Sequence, residues 1–205
     1  RDGSRFGRMP HVRSYYAATA HAAPRHPPVA GACTFDVCVV GAGITGCAAA
    51  LELAERGFKV ALVEAEQVGW GASGRSGGQA IFGFGTGMDT IAAQAGPGAA
   101  RQLWDISVEA LDWVRDRVAQ HGIDCDLHWG HLHVATKPRQ RDELLELQRD
   151  LAGTYGYHSP RFLERSEVEA LLATQRYCAG LLDPRSGHLH PLNYTLGLAR
   201  AAVAA

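Results

Sequence analysis

The stretch VVGAGITGCAAALELAERG, Val39 to Gly57, runs on into FKVALVEAE, Phe58 to Glu66. Its glycines Gly41, Gly43 and Gly46 have the spacing G-x-G-x-x-G. The run FDVCVV (35–40) ahead of them is apolar and β-branched, and Gly41 bounds it, so it reads as a buried strand. After the glycines, Ile44, Cys47, Ala48, Leu51 and Ala54 recur at helical spacing, and Gly57 stands where a helix stops. KVALVE (59–64) is a second buried strand. Strand, tight glycine turn, helix and strand make a βαβ unit with parallel strands and a right-handed crossover. In such a unit Gly41 permits the turn, Gly43 lets a pyrophosphate approach the backbone, and Gly46 lets helix and strand pack closely. The first helical residues, Ile44 and Thr45, present backbone N–H groups and the positive end of the helix dipole to the phosphates. Glu64 closes the second strand 23 residues after Gly41. A carboxylate there accepts hydrogen bonds from a ribose hydroxyl pair and repels a 2′-phosphate, which disfavours NADP. NAD and FAD both satisfy this pattern.

The next stretch separates them. Residues 69–87 hold eight glycines in 19 positions, too many for a core element. GWGASGRSGGQ (69–79) follows the acidic strand end directly, where an NAD domain ordinarily proceeds to another helix and strand. A second glycine-rich loop so soon suits a longer cofactor that continues past the pyrophosphate, as FAD does. Trp70, Ile81 and Phe82 flank it and argue against a freely solvated loop.

The rest of the chain bounds the function. Formal charge is −1 over 205 residues, so no basic surface points to nucleic acid. The five cysteines are scattered without a C-x-x-C pair, which fits reduced thiols in the cytoplasm. No segment has the apolar length of a membrane span, and the arginines at 1, 5, 8 and 13 lack the apolar run of a signal peptide. Met9 is a candidate start, which would make residues 1–8 foreign. LGLARAAVAA (196–205) reads as a helix without a stop signal, so a longer chain is expected. Residues 17–32 read as an extended arm. Leu103, Trp104, Val108, Leu111, Val114 and Val118 trace one face of a long helix. HLHVAT (131–136) reads as a strand, Leu144, Leu147 and Leu151 mark a helix ending near Gly153, and AGLLDP (179–184) is a further strand. Pro191 opens a last helix with Leu192, Leu196, Ala199 and Val203 on one stripe. His131 and His133 lie two apart on the strand HLHVAT and share a face, with His128 close by, but no carboxylate pairs with them as a metal site requires, and no metal is expected. His188 and His190 either face substrate or serve helix capping and packing. Arg141, Glu143, Glu146 and Arg149 make a solvated helix face. No residue earns a general-base role.

SYYAATA (14–20), DVCVVGAGITG, LAERGFKVALVEAEQVGWGASGRSGGQ and SGHLHPLNYTLGLARAA together resemble the D-amino-acid-oxidase-type FAD-dependent oxidoreductases, in particular their gamma-glutamylputrescine oxidase branch. The resemblance runs from Ser14 to the last residue. It implies an α/β, overall α+β, chain: a Rossmann-like FAD-binding βαβ domain of the glutathione-reductase type with part of a mainly antiparallel substrate domain. On that basis residues 1–34 are an arm or linker, 35–97 the FAD-binding unit with its second loop, 98–190 a helical and partial substrate-domain segment, and 191–205 the start of a helix. The expected activity is oxidation of an amine C–N bond, the acceptor being oxygen, with peroxide formed, or an electron carrier. Glycine, sarcosine or D-amino-acid oxidation, a dehydrogenase, and a non-catalytic nucleotide-binding module remain alternatives. By position, Gly41, Gly43, Thr45 and Gly46 match the family's pyrophosphate loop, and Glu64 its ribose acid. Ala72, Ser73, Arg75, Ser76, Gly77, Gly78 and Gln79 match the second cofactor loop. Ser76 stands where asparagine is expected, and Cys47 where leucine is usual. The family's chains run to about twice this length, so later cofactor-domain strands and much of the substrate wall are expected elsewhere.

Overall fold

The computed structural model describes residues 11–23 and 26–205; Met9 and residues 1–8 lie outside the described residues. In chain order the elements are α1 (Tyr15–Thr19), β1 (Val37–Val40), α2 (Ile44–Glu55), β2 (Val60–Val63), β3 (Gln79–Ala80), α3 (Met88–Ala95), α4 (Pro97–Gln120), β4 (His128–Ala135), α5 (Pro138–Tyr155), β5 (Arg161–Glu164), α6 (Arg165–Leu172), β6 (Ala179–His188) and α7 (Pro191–Ala204). Packing sorts them into two units. One holds the described residues up to Gly78 with Asp116–Leu127 and Leu189–Ala205, the other Gln79–Arg115 with His128–His188. The chain therefore passes between units repeatedly, once inside α4.

In the first unit β1 and β2 pair in parallel, Val37 opposite Val60 and Val40 opposite Val63, with α2 as the crossover. This is the βαβ unit the glycine spacing predicts. The expectation that β1 and β2 are buried strands does not hold: β1 alternates between half-buried and exposed, with Val40 83 % exposed, and every residue of β2 is half-buried. A parallel strand is buried only when both faces and both edges are covered, and among the described residues β1 pairs with β2 alone. The helix α7 packs against α2 and is buried at every position from Pro191 to Ala199. The expected stripe holds at Leu192, Leu196 and Ala199 but not at Val203, which is 73 % exposed. Arg117, near the end of α4, lies between Glu52 (2.6 Å) and Glu55 of α2 and ties the two helices together. The arm read as extended from residue 17 is helical through Thr19. The Ser14 hydroxyl caps that short turn by accepting from the Ala17 N–H at 3.1 Å.

The second unit is an antiparallel sheet built around β6. Along one side of β6 runs β4; along the other lie β5, opposite Ala179–Leu182, and β3, opposite Gly187–His188. The strand read at 131–136 begins earlier, at His128, with a bulge between Trp129 and His131. The strand read at 179–184 continues to His188. One core joins Ala135, Leu144, Ala179 and Leu181; another joins Trp104, Leu151 and Tyr157 with Phe82 and Met88 against them. The helix expected to stop near Gly153 continues to Tyr155, because the left-handed residue that ends it is Gly156 (φ +64°). The helices α3 and α6 and the strand β5 are additions that the sequence pattern did not predict. The second glycine-rich stretch is not loop throughout, since it contains a 3-10 turn at Ala72–Gly74 and the strand β3.

A buried carboxylate organises β6. Asp183 is 3 % exposed. It accepts from the hydroxyls of Tyr157 (2.9 Å), Ser186 (2.6 Å) and Ser159 (2.5 Å) and from the Arg185 N–H (3.2 Å). Burial, then the Asp183 charge, push the Tyr157 hydroxyl pKa up, so the phenol stays protonated and donates.

Candidate functional site

The first glycine loop leaves β1 at Gly41, whose φ of +99° admits glycine readily and other residues poorly. Its N–H is bonded to the Val63 carbonyl at 2.7 Å, which holds the turn against β2. A Cβ on Gly46 would overlap the Gly41 carbonyl oxygen. The third glycine is thus required by the approach of α2 to the turn. Behind the loop, Cys47 is fully buried, and burial, with the Glu64 charge beside it, pushes its thiol up to about 12. It is a small apolar filler, as expected, and not a nucleophile.

Glu64 points back at this loop. One carboxylate oxygen accepts from the Ala42 N–H at 2.7 Å and the other from the Glu66 N–H at 3.0 Å. A carboxylate offers about four lone-pair positions. Each oxygen therefore keeps one for a hydroxyl, and the two N–H groups fix its orientation. That is the arrangement a ribose diol needs. In Glu64→Gln only one of the two atoms accepts, and the amide NH2 group meets a backbone N–H. Flavin affinity is expected to fall by roughly tenfold or more, since a hydrogen bond to a charged group contributes about 1.5–3 kcal/mol and 1.4 kcal/mol is a decade. A flavin titration of the variant with unchanged affinity would remove Glu64 from this role.

The second loop lies directly against the first. The Ile44 N–H, at the head of α2, donates to the Ser73 hydroxyl at 2.9 Å, and the Gly69 N–H donates to the Ala42 carbonyl at 2.8 Å. The bare side of Gly43 faces Ser73, whose Oγ would stand 2.8 Å from a Cβ built there. The sequence places this N–H directly before the phosphates; in the structure a hydroxyl stands in front of it. An O–H that accepts from the helix end still has its proton to donate to an anion. Gly41, Gly43, Ile44, Thr45, Gly46, Glu64, Ala72 and Ser73 thus share one place. Arg75 follows, its Nε donating to the Gly71 carbonyl at 3.0 Å and its guanidinium 5.3 Å from the Trp70 ring centroid. Ser76 and Gly77 are exposed. The Gly78 carbonyl accepts from the Leu189 N–H at 2.8 Å, and Gln79 pairs with His188 in β3 and β6. Two bare-backbone loops face to face, with an oriented acid beside them, fit FAD.

The two histidines part company. His188 is exposed at the end of β6, its ring 5.6 Å from that of His128. His190 is 4 % exposed and caps α7, its Nδ1 accepting from the Asn193 N–H at 3.1 Å. Among the described residues no group of three His, Cys, Asp or Glu side chains is arranged to hold a metal ion. Sequence reasoning missed the Asp183 cluster and the contacts of residues 14–21 with His190, which join positions far apart in the chain.

A family model described as DAO, FAD dependent oxidoreductase, matches residues 36–205. The chain is 43 % identical over 198 residues to the probable oxidoreductase OrdL of Haemophilus influenzae, covering 97 % of this chain and 46 % of that protein. It is 39 % identical over 191 residues to the gamma-glutamylputrescine oxidoreductase of Escherichia coli, covering 93 % and 45 %. Among solved structures, L-amino acid deaminase from Proteus myxofaciens shares the fold with a TM-score of 0.71 at 23 % identity, over 91 % of this chain and 40 % of that one. Glycine oxidase from Geobacillus kaustophilus superposes with a TM-score of 0.58 at 26 % identity, over 82 % and 44 %. The chain spans about half the length of the curated relatives it matches. With its paired glycine loops and Glu64 in place, this chain belongs to the DAO family of FAD-dependent oxidoreductases, and FAD is its cofactor.

Proposed function

We propose that the whole protein oxidises the C–N bond of a primary amine of the gamma-glutamylputrescine type in the cytoplasm, with oxygen as electron acceptor and hydrogen peroxide as product. The observation that carries this reading is the 39 % identity, across 93 % of the chain, to a protein named for that substrate. Bound FAD supplies the two-electron acceptor for the amine. The chain's own residues supply its seat. Glu64 holds the ribose, Gly41 makes the turn, Gly43 lets the pyrophosphate approach the backbone, Gly46 lets α2 pack on the turn, Ile44 and Thr45 present the head of α2, and Ser73 donates beside it. Ala72 and Arg75 to Gln79 carry the cofactor onward. No helix among the described residues is long and apolar enough to cross a membrane, and all five cysteines are free.

A second reading, oxidation of a small amino acid such as glycine or sarcosine, rests on 31 % identity over 180 residues to the glycine oxidase of Geobacillus kaustophilus. A peroxide-coupled assay on the full-length protein separates the two. Turnover of gamma-glutamylputrescine well above glycine, sarcosine and D-alanine is expected. The reverse order would establish the second reading, and dye reduction without peroxide would make the protein a dehydrogenase.

A further inference from the structure

Residues 14–21 reach across the chain to the head of α7. The Tyr16 ring meets the His190 ring edge-on at 5.0 Å. The Thr19 hydroxyl donates to the Tyr15 carbonyl at 2.8 Å and stands 3.0 Å from His190 Nε2. The His21 N–H donates to the Asn193 side-chain oxygen at 2.9 Å, and its ring lies 3.1 Å from the Asp124 carboxylate. One protonation state satisfies every contact of His190. Nδ1 accepts from the Asn193 N–H, so the ring proton is on Nε2; the Thr19 hydroxyl, having donated elsewhere, accepts it.

The head of α7 is in turn the surface on which the second glycine loop is moulded. A Cβ on Gly78 would overlap the Leu189 carbonyl and crowd Pro191; one on Gly74 would lie 3.1 Å from Leu192 Cδ1, and one on Gly69 2.9 Å from the same atom. The loop is glycine-rich where it presses on α7.

We propose that residues 14–21 are a strap that holds the second glycine loop in shape through the head of α7, with His190 the positioning residue that joins strap to helix. The inference rests on residues 69–79 being the second cofactor loop. Burial lowers the His190 pKa below its ordinary 6.5. Tyr15, Tyr16, Cys125, Asp126 and His21 are the titratable groups around it; Asp126 raises the pKa and His21 lowers it. A second proton would sit on Nδ1, facing the Asn193 N–H. The unfolded chain thus binds this proton more readily than the folded one. The contribution of His190 is complete above pH 6.5 and declines as pH falls from there toward the lowered value.

The test uses full-length holoprotein and the variants Thr19→Val, Tyr16→Ala/Thr19→Val and His190→Asn. Asparagine retains an N-cap acceptor but is too short to reach Thr19. Amide exchange in 69–78 is expected to quicken and FAD affinity to fall in the double variant and in His190→Asn, each by about tenfold, with β4 and β6 unaffected and a smaller change in Thr19→Val. Wild-type flavin release should rise as pH drops below 6.5, and His190→Asn should lack that rise. Faster exchange with unchanged FAD affinity would keep the strap and remove residues 69–79 from the cofactor site. Wild-type exchange in the double variant would overturn the strap, and wild-type behaviour in His190→Asn would reduce His190 to a helix cap.

Discussion

Full-length protein carrying Gly46→Ala is expected to emerge from purification without flavin. The added methyl group would be forced into the Gly41 carbonyl, a backbone atom that no side-chain rotation can move. Either α2 backs away from β1 or the turn opens, and both separate Gly43, Ile44 and Ser73 from the geometry described above. Overpacking of this kind typically costs about 1–3 kcal/mol. Because the strain falls on the cofactor seat itself, a loss of affinity on the order of a hundredfold follows from 1.4 kcal/mol per decade. Gly57→Ala is the control. Gly57 has a left-handed backbone (φ +84°), which Gly46 lacks, and nothing lies within 4 Å of a Cβ built there, so Gly57→Ala strains the fold by about 1–2 kcal/mol without touching the loops. Flavin-to-protein absorbance after desalting should fall to background in Gly46→Ala and stay near wild type in Gly57→Ala. Normal flavin content in Gly46→Ala would mean the first loop does not hold the pyrophosphate.

Asp183→Ala should produce the largest loss of stability in the second unit. It removes an acceptor from three hydroxyls at once, and two of them belong to buried residues, Tyr157 (5 % exposed) and Ser186 (0 %), which leaves little water to replace it. A hydrogen bond to a charged group contributes about 1.5–3 kcal/mol, and each buried donor left unpaired costs about 1–3. A loss of roughly 4 kcal/mol is expected, at the extreme of single substitutions. Asp183→Asn, which keeps one acceptor oxygen, should lose less. The Tyr157 ring meets that of Trp104 edge-on at 5.6 Å and lies 5.1 Å from that of Phe82, so denaturant melts followed by tryptophan fluorescence report on the site. A midpoint unchanged in Asp183→Ala would show that the hydroxyls find other partners.

The parts of the fold legible in the sequence are those whose cause is local. The spacing of Gly41, Gly43 and Gly46 between two β-branched runs carries its mechanism within 30 or so residues, and the stripe from Leu103 to Val118 lies along one face of a single helix. Gly153 misleads because a glycine inside a helix is tolerated, and only backbone sign distinguishes it from the terminator Gly156. The strand β5 has four residues and is a strand because β6 lies beside it; such short elements give no period to read. The same holds for the exposure of Val40, which depends on what lies beside β1. The interleaving of the two units leaves no trace in composition, since one passage between them falls at Arg115–Asp116, within α4. In the site, Glu64 is legible because its place at a strand end fixes its direction. The bond from Ile44 to Ser73 spans 29 residues, and the contact of Thr19 with His190 spans 171; no spacing rule reaches so far.

The most direct measurement of the amine-oxidising role is an anaerobic titration of purified full-length protein. The protein should carry FAD, adding gamma-glutamylputrescine without oxygen should bleach the long-wavelength flavin band, and admitting oxygen should restore it with one peroxide formed per flavin. A flavin band that no amine or amino acid bleaches, or a colourless protein that takes up NAD in place of FAD, would contradict the account.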